Sequence, residues 1–292
     1  MFIATLIAKD RLAGGDISAA ADALAAAGMA PYGRSWIEED KACDLLFAAG
    51  PTAARRLLEG LFDGIDVVVQ GEASRRRRLL VADMDSTMIT VECIDELADY
   101  AGAMAEVAAV TERAMRGEIG FEASLAERVA LLVGLEEGAI EQCLAERVRL
   151  TPGAVALVRT MKREGAFTLL VSGGFTRFAD PVGAQIGFDR VVANRLGVAA
   201  GRLDGRVEGP IVGAEGKRGA LLDAAAELCL RPDEALAVGD GANDVPMLKE
   251  AGLGVAYHAK PAAAAAADAA IVHNDLTALL YAQGWARSEW EH

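Results

Sequence analysis

Val81-Ala82-Asp83-Met84-Asp85-Ser86-Thr87 follows the apolar pair Leu79-Leu80 and sets two carboxylates two residues apart where a strand should end and a loop begin. Alone, an Asp-x-Asp at that point is weak evidence, because such pairs also occur in ordinary strand-end turns. Downstream, in order, stand Val171-Ser172-Gly173-Gly174, then Lys217 opening a helical stretch, then Val238-Gly239-Asp240-Gly241-Ala242-Asn243-Asp244. The serine-glycine and glycine-aspartate motifs also come straight after short apolar runs. Singly, Ser172-Gly173-Gly174 is a turn and Lys217 a surface lysine; together, two acid motifs, a small-residue anion cradle and a cation read as a phosphoryl-transfer site.

Working outward from that stretch, strands alternate with helices, which predicts right-handed βαβ crossovers and a parallel sheet covered on both faces. The strand candidates are Leu79 to Asp83, Thr168 to Ser172, Val191 to Asn194, Leu236 to Gly239 and Gly254 to Tyr257, with Ala270 to His273 as an edge. In such a Rossmann-like α/β sheet, ligands bind beyond the carboxyl ends of the strands, where Asp83, Asp85, Ser172, Asp240 and Asp244 fall. Met88 to Leu150 interrupts the alternation with apolar residues at helical spacing and reads as a helical cap at about 88–150. Asp204-Gly205 reads as a tight hairpin turn, and Ala262 to Ala267 as a short helix after Pro261.

Residues 1–72 read as a unit of their own ahead of a second at 73–292. Phe2 to Ala8 is strand-like, Asp16 can cap a helix running to Ala27, Ser35 to Glu38 and Asp44 to Ala48 are strand-like, Thr52 to Phe62 is helical, and Ile65 to Gln70 is a strand. That βαββαβ order is ferredoxin-like, an α+β pattern with its own small core. Gly14 and Gly15 at its first strand-to-helix junction are either ordinary loop glycines or a place where a ligand carboxylate could approach. Arg75 to Arg78 then read as a solvated linker or strand entry.

The chain has 292 residues, a formal net charge of −14 and 53% hydrophobic content with few aromatics. This acidity argues against nucleic acid or an anionic membrane surface as partner, so an anionic substrate must be met by local cations. Cys43, Cys93, Cys143 and Cys229 are scattered, which indicates neither a disulfide framework nor a zinc site and fits a reducing cytoplasm. Lys9, Asp10 and Arg11 cut short the apolar Met1 to Ala8, and no run approaches the roughly 18 apolar residues of a membrane helix.

The chemistry follows from residue types. An aspartate can attack phosphorus and form an acyl phosphate, provided a cation separates its charge from the phosphate. Magnesium, with its preference for hard oxygen ligands, suits that role, with Asp83 and Asp240 as side-chain ligands. Asp85 fits a general acid; Ser172 and the Gly173 amide can hold phosphate oxygens; Lys217 supplies positive charge. Asp244 is placed to support the metal shell or Lys217.

Two charges in the insertion stand out. Between Leu79 and Glu112 there is no lysine or arginine but there are eight acids, and on a helix over Val91 to Tyr100 Glu92 would face Asp95 and Glu96. Either this is a solvated face or a substrate ammonium is bound there. Arg128 has Ser124, Leu125, Leu131 and Leu132 as helical neighbours, none acidic. Either it snorkels at the surface or it faces the cleft and clamps a carboxylate.

Asp83-Met84-Asp85-Ser86-Thr87 through Glu92-Cys93-Ile94-Asp95-Glu96-Leu97-Ala98, then Met115-Arg116-Gly117-Glu118, Phe121 to Leu125 with Arg128-Val129, and Gly239 to Met247 closely resemble the phosphoserine phosphatases of the haloacid dehalogenase superfamily. The resemblance spans about residues 79–284. It implies magnesium-dependent hydrolysis of O-phosphoserine through an aspartyl phosphate, the last step of serine biosynthesis. By position it implies Asp83 as nucleophile, Asp85 as proton donor, and Asp83, the Asp85 carbonyl and Asp240 as metal ligands. It gives the substrate amino group to Glu92, its carboxylate to Arg128, and its phosphate to Ser172, Gly173, Lys217 and Asn243, with Met115 and Phe121 closing the cap. The N-terminal unit more weakly resembles the ACT-like domain of bacterial members and could support a homodimer. Gly120 and Gly213 depart from a pattern in which many relatives carry an acid. Three rivals remain: a related phosphatase for another small phosphomonoester, an inactive amino-acid sensor, and an ion-pumping ATPase. The paired Glu92 and Arg128, the intact catalytic set, and the want of membrane spans respectively speak against them.

Overall fold

The computed structural model describes residues 1–292. The chain opens with β1 (Phe2–Ala8), α1 (Gly14–Ala26), β2 (Gly33–Glu38), β3 (Ala42–Phe47), α2 (Pro51–Leu58) and β4 (Ile65–Gly71), which is the βαββαβ order. The four strands form an antiparallel sheet in the order β2-β3-β1-β4. Side chains alternate between the faces of a strand, so Ala4, Leu6 and Ala8 of β1 join Leu45, Phe47 and Val67 against Ile17 and Leu24 of α1 and Leu58 of α2. Ile7, Ala42 and Val68 point the other way and belong to the main core of the molecule. The unit closes one small core and lends its second face to a larger one.

A buried polar seam fastens that second face. The Asp66 carboxylate accepts the backbone N–H groups of Val272 and Asn274 and the side-chain amide of Asn274 at 2.9–3.0 Å. Arg75 grips Asp44 with two guanidinium nitrogens at 2.6 and 2.9 Å. The buried Arg77 donates to the carbonyls of Asp233 and Gly252 and to Gln70 Oε1. Arg75 and Arg77 are therefore structural and not a solvated linker: Asp44, Asp233 and Gly252 lie on elements far away in sequence.

The remainder comprises β5 (Leu79–Ala82), α3 (Cys93–Ala101), α4 (Met104–Met115), α5 (Phe121–Ala130), α6 (Gly138–Glu146), α7 (Ala154–Arg163), β6 (Phe167–Phe175) and α8 (Thr176–Ile186). It continues with β7 (Arg190–Ala199), β8 (Arg202–Glu208), α9 (Ala214–Glu227), β9 (Ala235–Gly239), α10 (Val245–Glu250), β10 (Leu253–Tyr257), α11 (Pro261–Ala266), β11 (Ala269–Ile271) and α12 (Ala278–Ala282). The sheet order is β11-β10-β9-β5-β6-β7-β8, parallel throughout except that β8 returns antiparallel to β7. Leu79, Val81, Leu169 and Val171 pack with Leu221, Ala224 and Met247 on one face, while Leu80, Ala82, Leu170 and Val238 face the larger core. Both faces are covered, which is why these strands read as unbroken apolar runs. The chain runs from β5 to β6 on one side and later to β9 on the other, so a crevice opens at the carboxyl end of β5.

Helices α3 to α6 form the insertion. Its stem is a short antiparallel crossing in which Thr90 N–H donates to Arg149 O and Thr151 N–H to Met88 O. Four readings need correction. The hairpin turn is Ala200-Gly201, not Asp204-Gly205: both turn residues have positive φ (52° and 75°), as a two-residue type I′ turn requires. Gly205 lies inside β8, where its bare Cα lets the strand run against Ala130 of α5; an added Cβ would meet that Cα at 3.3 Å. β6 does not end at Ser172 but continues through Gly173 and Gly174 to Phe175. Helix α1 begins at Gly14, so Asp16 is its third residue and accepts the Ala13 N–H from inside the first turn at 2.9 Å. α2 stops at Leu58, before Gly60 with φ 75°.

Candidate active site

The Asp83 N–H still pairs with Val238 O, after which the chain turns sharply and Met84 O receives the N–H groups of Thr87, Met88 and Ile89. This turn, with Ser86 at φ 54°, throws Asp83 and Asp85 into the crevice. Asp83 is buried, and its carboxylate meets the Lys217 ammonium at 2.6 Å. Lys217 sits in the first turn of α9, wholly buried, and reaches Asp244 at 2.7 Å with its remaining reach. Asp244 in turn accepts the Gly241 N–H at 2.9 Å. Gly239 is required here, because a Cβ would stand 2.4 Å from the Asp244 carboxyl carbon.

Electrostatics follow from this packing. Burial, and next the neighbouring Asp244, hold the Asp83 carboxyl well above the usual range against the pull of Lys217. Burial alone would lower the Lys217 ammonium, but Asp244 and Asp83 outweigh it and hold Lys217 above the usual lysine range. Asp85 is pushed up to about 7, first by burial and then by Glu92. Its Oδ1 is shielded from solvent and has no hydrogen-bond partner. Gly174 makes room for it, since a Cβ there would meet Asp85 Oδ2 at 2.9 Å. Burial also raises Asp240, against Lys260.

One carboxylate oxygen from each of Asp83, Asp240 and Asp244 lies within 4.8 Å of the other two. Buried hard-oxygen donors crowded in this way suit a divalent cation, which would relieve the charge repulsion among them.

Above them opens a cavity of about 450 Å³. Asp83, Asp85, Asp240 and Asn243 line its base, and Ser172 and Gly173 one wall. The cap supplies Glu92, Arg128, Met115 and Phe121. Lys217 and Asp244 do not line the cavity but form the layer beneath Asp83. Arg128 is half-buried without a carboxylate in ion-pair reach: its Nε donates to Ser124 O at 3.3 Å, and burial lowers its pKa while Asp95 and Glu92 raise it. The cleft-facing reading of Arg128 is the one its place supports. Phe121 leans over two glycines: a Cβ at Gly173 or Gly213 would approach its ring to 3.0 or 3.1 Å. That crowding is a physical reason for glycine at 213. Gly120, before α5, meets no such limit.

Several site residues escaped the sequence reading. Lys260 enters the cavity from just beyond β10 and stands 3.2 Å from Asp240 and 3.6 Å from Glu92. Its position at a strand's carboxyl end, before a helix-opening proline, was the available signal. Ser86 Oγ donates to Glu92 Oε1 at 2.9 Å. Asn194 ties two walls together, donating to Gly173 O and accepting the Val212 N–H.

A haloacid dehalogenase-like hydrolase family model matches residues 80–249. A phosphoserine phosphatase of Polaromonas sp. is 48% identical over 208 residues, covering 70% of this chain and 88% of that protein. Phosphoserine phosphatase SerB2 of Mycobacterium tuberculosis is 46% identical over 229 residues, covering 78% of this chain; the chain spans 56% of that longer relative. Among solved structures, a probable phosphoserine phosphatase from Vibrio cholerae aligns with a TM-score of 0.79 at 33% identity, covering 98% of this chain and 88% of that one. The chain belongs to the phosphoserine phosphatase family of haloacid dehalogenase-like hydrolases. Members are phosphoric monoester hydrolases that use a divalent metal, and the Asp83, Asp240 and Asp244 cluster fits one. No helix is long and apolar enough to cross a membrane.

Proposed function

We propose that the chain hydrolyses O-phosphoserine to serine and phosphate, the closing reaction of serine biosynthesis, with Mg²⁺ as its metal. The observation that carries this reading is that one cavity holds Glu92 and Arg128 on its cap side and Asp83 and Asp85 on its base. A zwitterion bearing a phosphate uses every one of these groups; a simple phosphomonoester leaves charges unmatched.

In this reading Asp83 attacks phosphorus and forms an aspartyl phosphate, while Asp85, whose pKa burial and Glu92 raise, gives its proton to the departing serine oxygen. Asp85 then takes a proton from the water that hydrolyses the acyl phosphate. Ser172, the Gly173 amide and Asn243 hold phosphate oxygens, and Lys217 offsets charge on Asp83 from below. Asp244 holds Lys217 in place. Glu92 takes the substrate ammonium and Arg128 its carboxylate. Met115 and Phe121 exclude water from the cap side. Asp83, the Asp85 carbonyl and Asp240 would hold Mg²⁺, which would supply neutralisation of the carboxylate and phosphate charges.

A cytoplasmic setting and pairing of two copies through the open edge of β2 belong to the same reading. They are supported by the free cysteines and by the place of β2 at the end of its sheet.

Phosphate release from phosphoserine, phosphothreonine, phosphoethanolamine and 3-phosphoglycerate, with and without magnesium, tests the assignment. Phosphoserine should lead by kcat/KM and lose turnover under chelation. A faster substrate lacking either the ammonium or the carboxylate would overturn it.

A further inference from the structure

The carboxylates assigned above to the metal and to the substrate ammonium are already within reach of one cation of the chain itself. Lys260 Nζ lies 3.2 Å from Asp240 Oδ2 and 3.6 Å from Glu92 Oε1. Lys217 cannot serve these two, being engaged with Asp83 and Asp244. The Lys260 side chain is 56% exposed, so its pairs are weak enough to exchange.

What sets Lys260 in place runs back to the N-terminal sheet. The Lys260 N–H donates to Asp240 O at 2.9 Å, fixing the segment beside the site. Two residues earlier, His258 holds a left-handed backbone (φ 42°), uncommon for a residue with a side chain. Its N–H donates to Ile271 O, and its ring Nε2 meets Asn274 O at 2.9 Å, a contact that needs a proton on Nε2. Asn274 is buried and belongs to the N-terminal unit's contact: its amide donates to Ile7 O at 3.0 Å and to Asp66 Oδ2 at 2.9 Å, and Lys41 donates to its Oδ1. Hydrogen bonds through Asn274 and His258, and then the two-residue backbone step from His258 to Lys260, thus join β1 and β4 to the base of the cavity.

We propose that Lys260 is a positioning residue whose ammonium competes with the metal for Asp240 and with the substrate ammonium for Glu92, and that the N-terminal sheet sets it through Asn274 and His258. The part concerning Glu92 rests on the phosphoserine reading; the part concerning Asp240 does not. Loading either subsite displaces the lysine at small cost. A ligand without an ammonium leaves Lys260 on Glu92, which keeps that carboxylate neutralised.

The test uses the whole chain and its Lys260→Met variant. Magnesium chloride titrated calorimetrically into the substrate-free variant should bind roughly two- to fivefold more tightly than into the parent, the size of a half-exposed ion pair. The variant's KM for phosphoserine should fall, while the inhibition constant of 3-phosphoglycerate, which has no ammonium, should rise. Lys260→Arg should restore the parental pattern in all three readings. Asn274→Ala and His258→Ala should each move magnesium affinity in the Lys260→Met direction, and neither should add to Lys260→Met in the double variant. Unchanged or weaker magnesium binding in Lys260→Met would overturn the competition, and full additivity of both relay variants would overturn the link to the N-terminal sheet. Failure to hydrolyse phosphoserine would remove the substrate reading and leave the magnesium result to decide Lys260.

Discussion

Replacing Arg128 by alanine separates recognition from folding, because the structure gives this guanidinium no ion-pair partner within the chain. Its nearest acceptor is the carbonyl of Ser124 one turn back on α5, at 3.3 Å. Burial lowers its pKa, which marks a cation stripped of part of its hydration and facing the cavity. Truncating one member of a desolvated charge pair costs 2–5 kcal/mol. Since Arg128 is only half-buried, the lower part of that range applies: about 2–3 kcal/mol, or roughly 30- to 150-fold in kcat/KM for phosphoserine. Phosphoethanolamine, which lacks the carboxylate, should change by less than about threefold. No carboxylate within the chain is orphaned, so the unfolding free energy from a urea titration should change by less than about 0.5 kcal/mol. Steady-state kinetics on both substrates and a urea titration measure all three quantities. Equal losses on the two substrates, or a large drop in stability, would mean that Arg128 shapes the cap rather than clamping a carboxylate.

Asp83→Asn should abolish both turnover and trapping of an acyl phosphate, since the amide is isosteric but a poor nucleophile; near-normal rates would sink the mechanism. Asp85→Asn should still bind substrate while losing roughly 10²- to 10⁴-fold in rate, the usual worth of a general acid, as read by single-turnover kinetics. Chelation should stop phosphate release and magnesium restore it, whereas calcium, which takes six to eight oxygens in looser geometry, should restore far less. Asp66→Asn should cost about 3 kcal/mol or more by urea titration, because every group facing the carboxylate is a donor, the His273 N–H at 3.2 Å from both oxygens included, and an amide must turn its own N–H₂ against at least two of them; a loss below about 1 kcal/mol would show the seam to be unimportant.

The strand-end motifs were legible because a parallel sheet buried on both faces writes each strand as a continuous apolar run, and the next residues necessarily fall in the crevice. Asp83 and Asp240 could be placed from that rule alone, whereas Ser172 lies within β6 and reaches the cavity from inside the strand. Arg75 and Arg77 could not, since their partners Asp44, Asp233 and Gly252 belong to other elements and only the folded chain brings them near. The same holds for Lys260, whose neighbour Glu92 comes from the cap. Asp204-Gly205 misled for a different reason. An aspartate-glycine pair is a strong turn signal, but Gly205 uses its positive φ to bring β8 against α5, while Ala200 and Gly201 make the turn. Arg128 stayed open between surface and cleft because its helical neighbours are the same in either case.

Burial sorts the three cations around this acidic cavity by how firmly each is committed. Lys217 is wholly enclosed between Asp83 and Asp244, and removing it would strand two buried carboxylates, so its charge is a fixed part of the structure. Lys260 is more than half exposed and shares two longer contacts, so its pairing can be exchanged at the cost of a surface ion pair. Arg128 lies between them in burial and has no carboxylate of its own chain in reach, so a bound carboxylate gains its fork without breaking an existing bridge. A protein with a net charge of −14 can therefore receive a dianionic phosphate without a broad basic surface. The positive charge is placed at single points, and in the proposed mechanism depth decides whether each one holds the nucleophile, yields its place or selects the substrate.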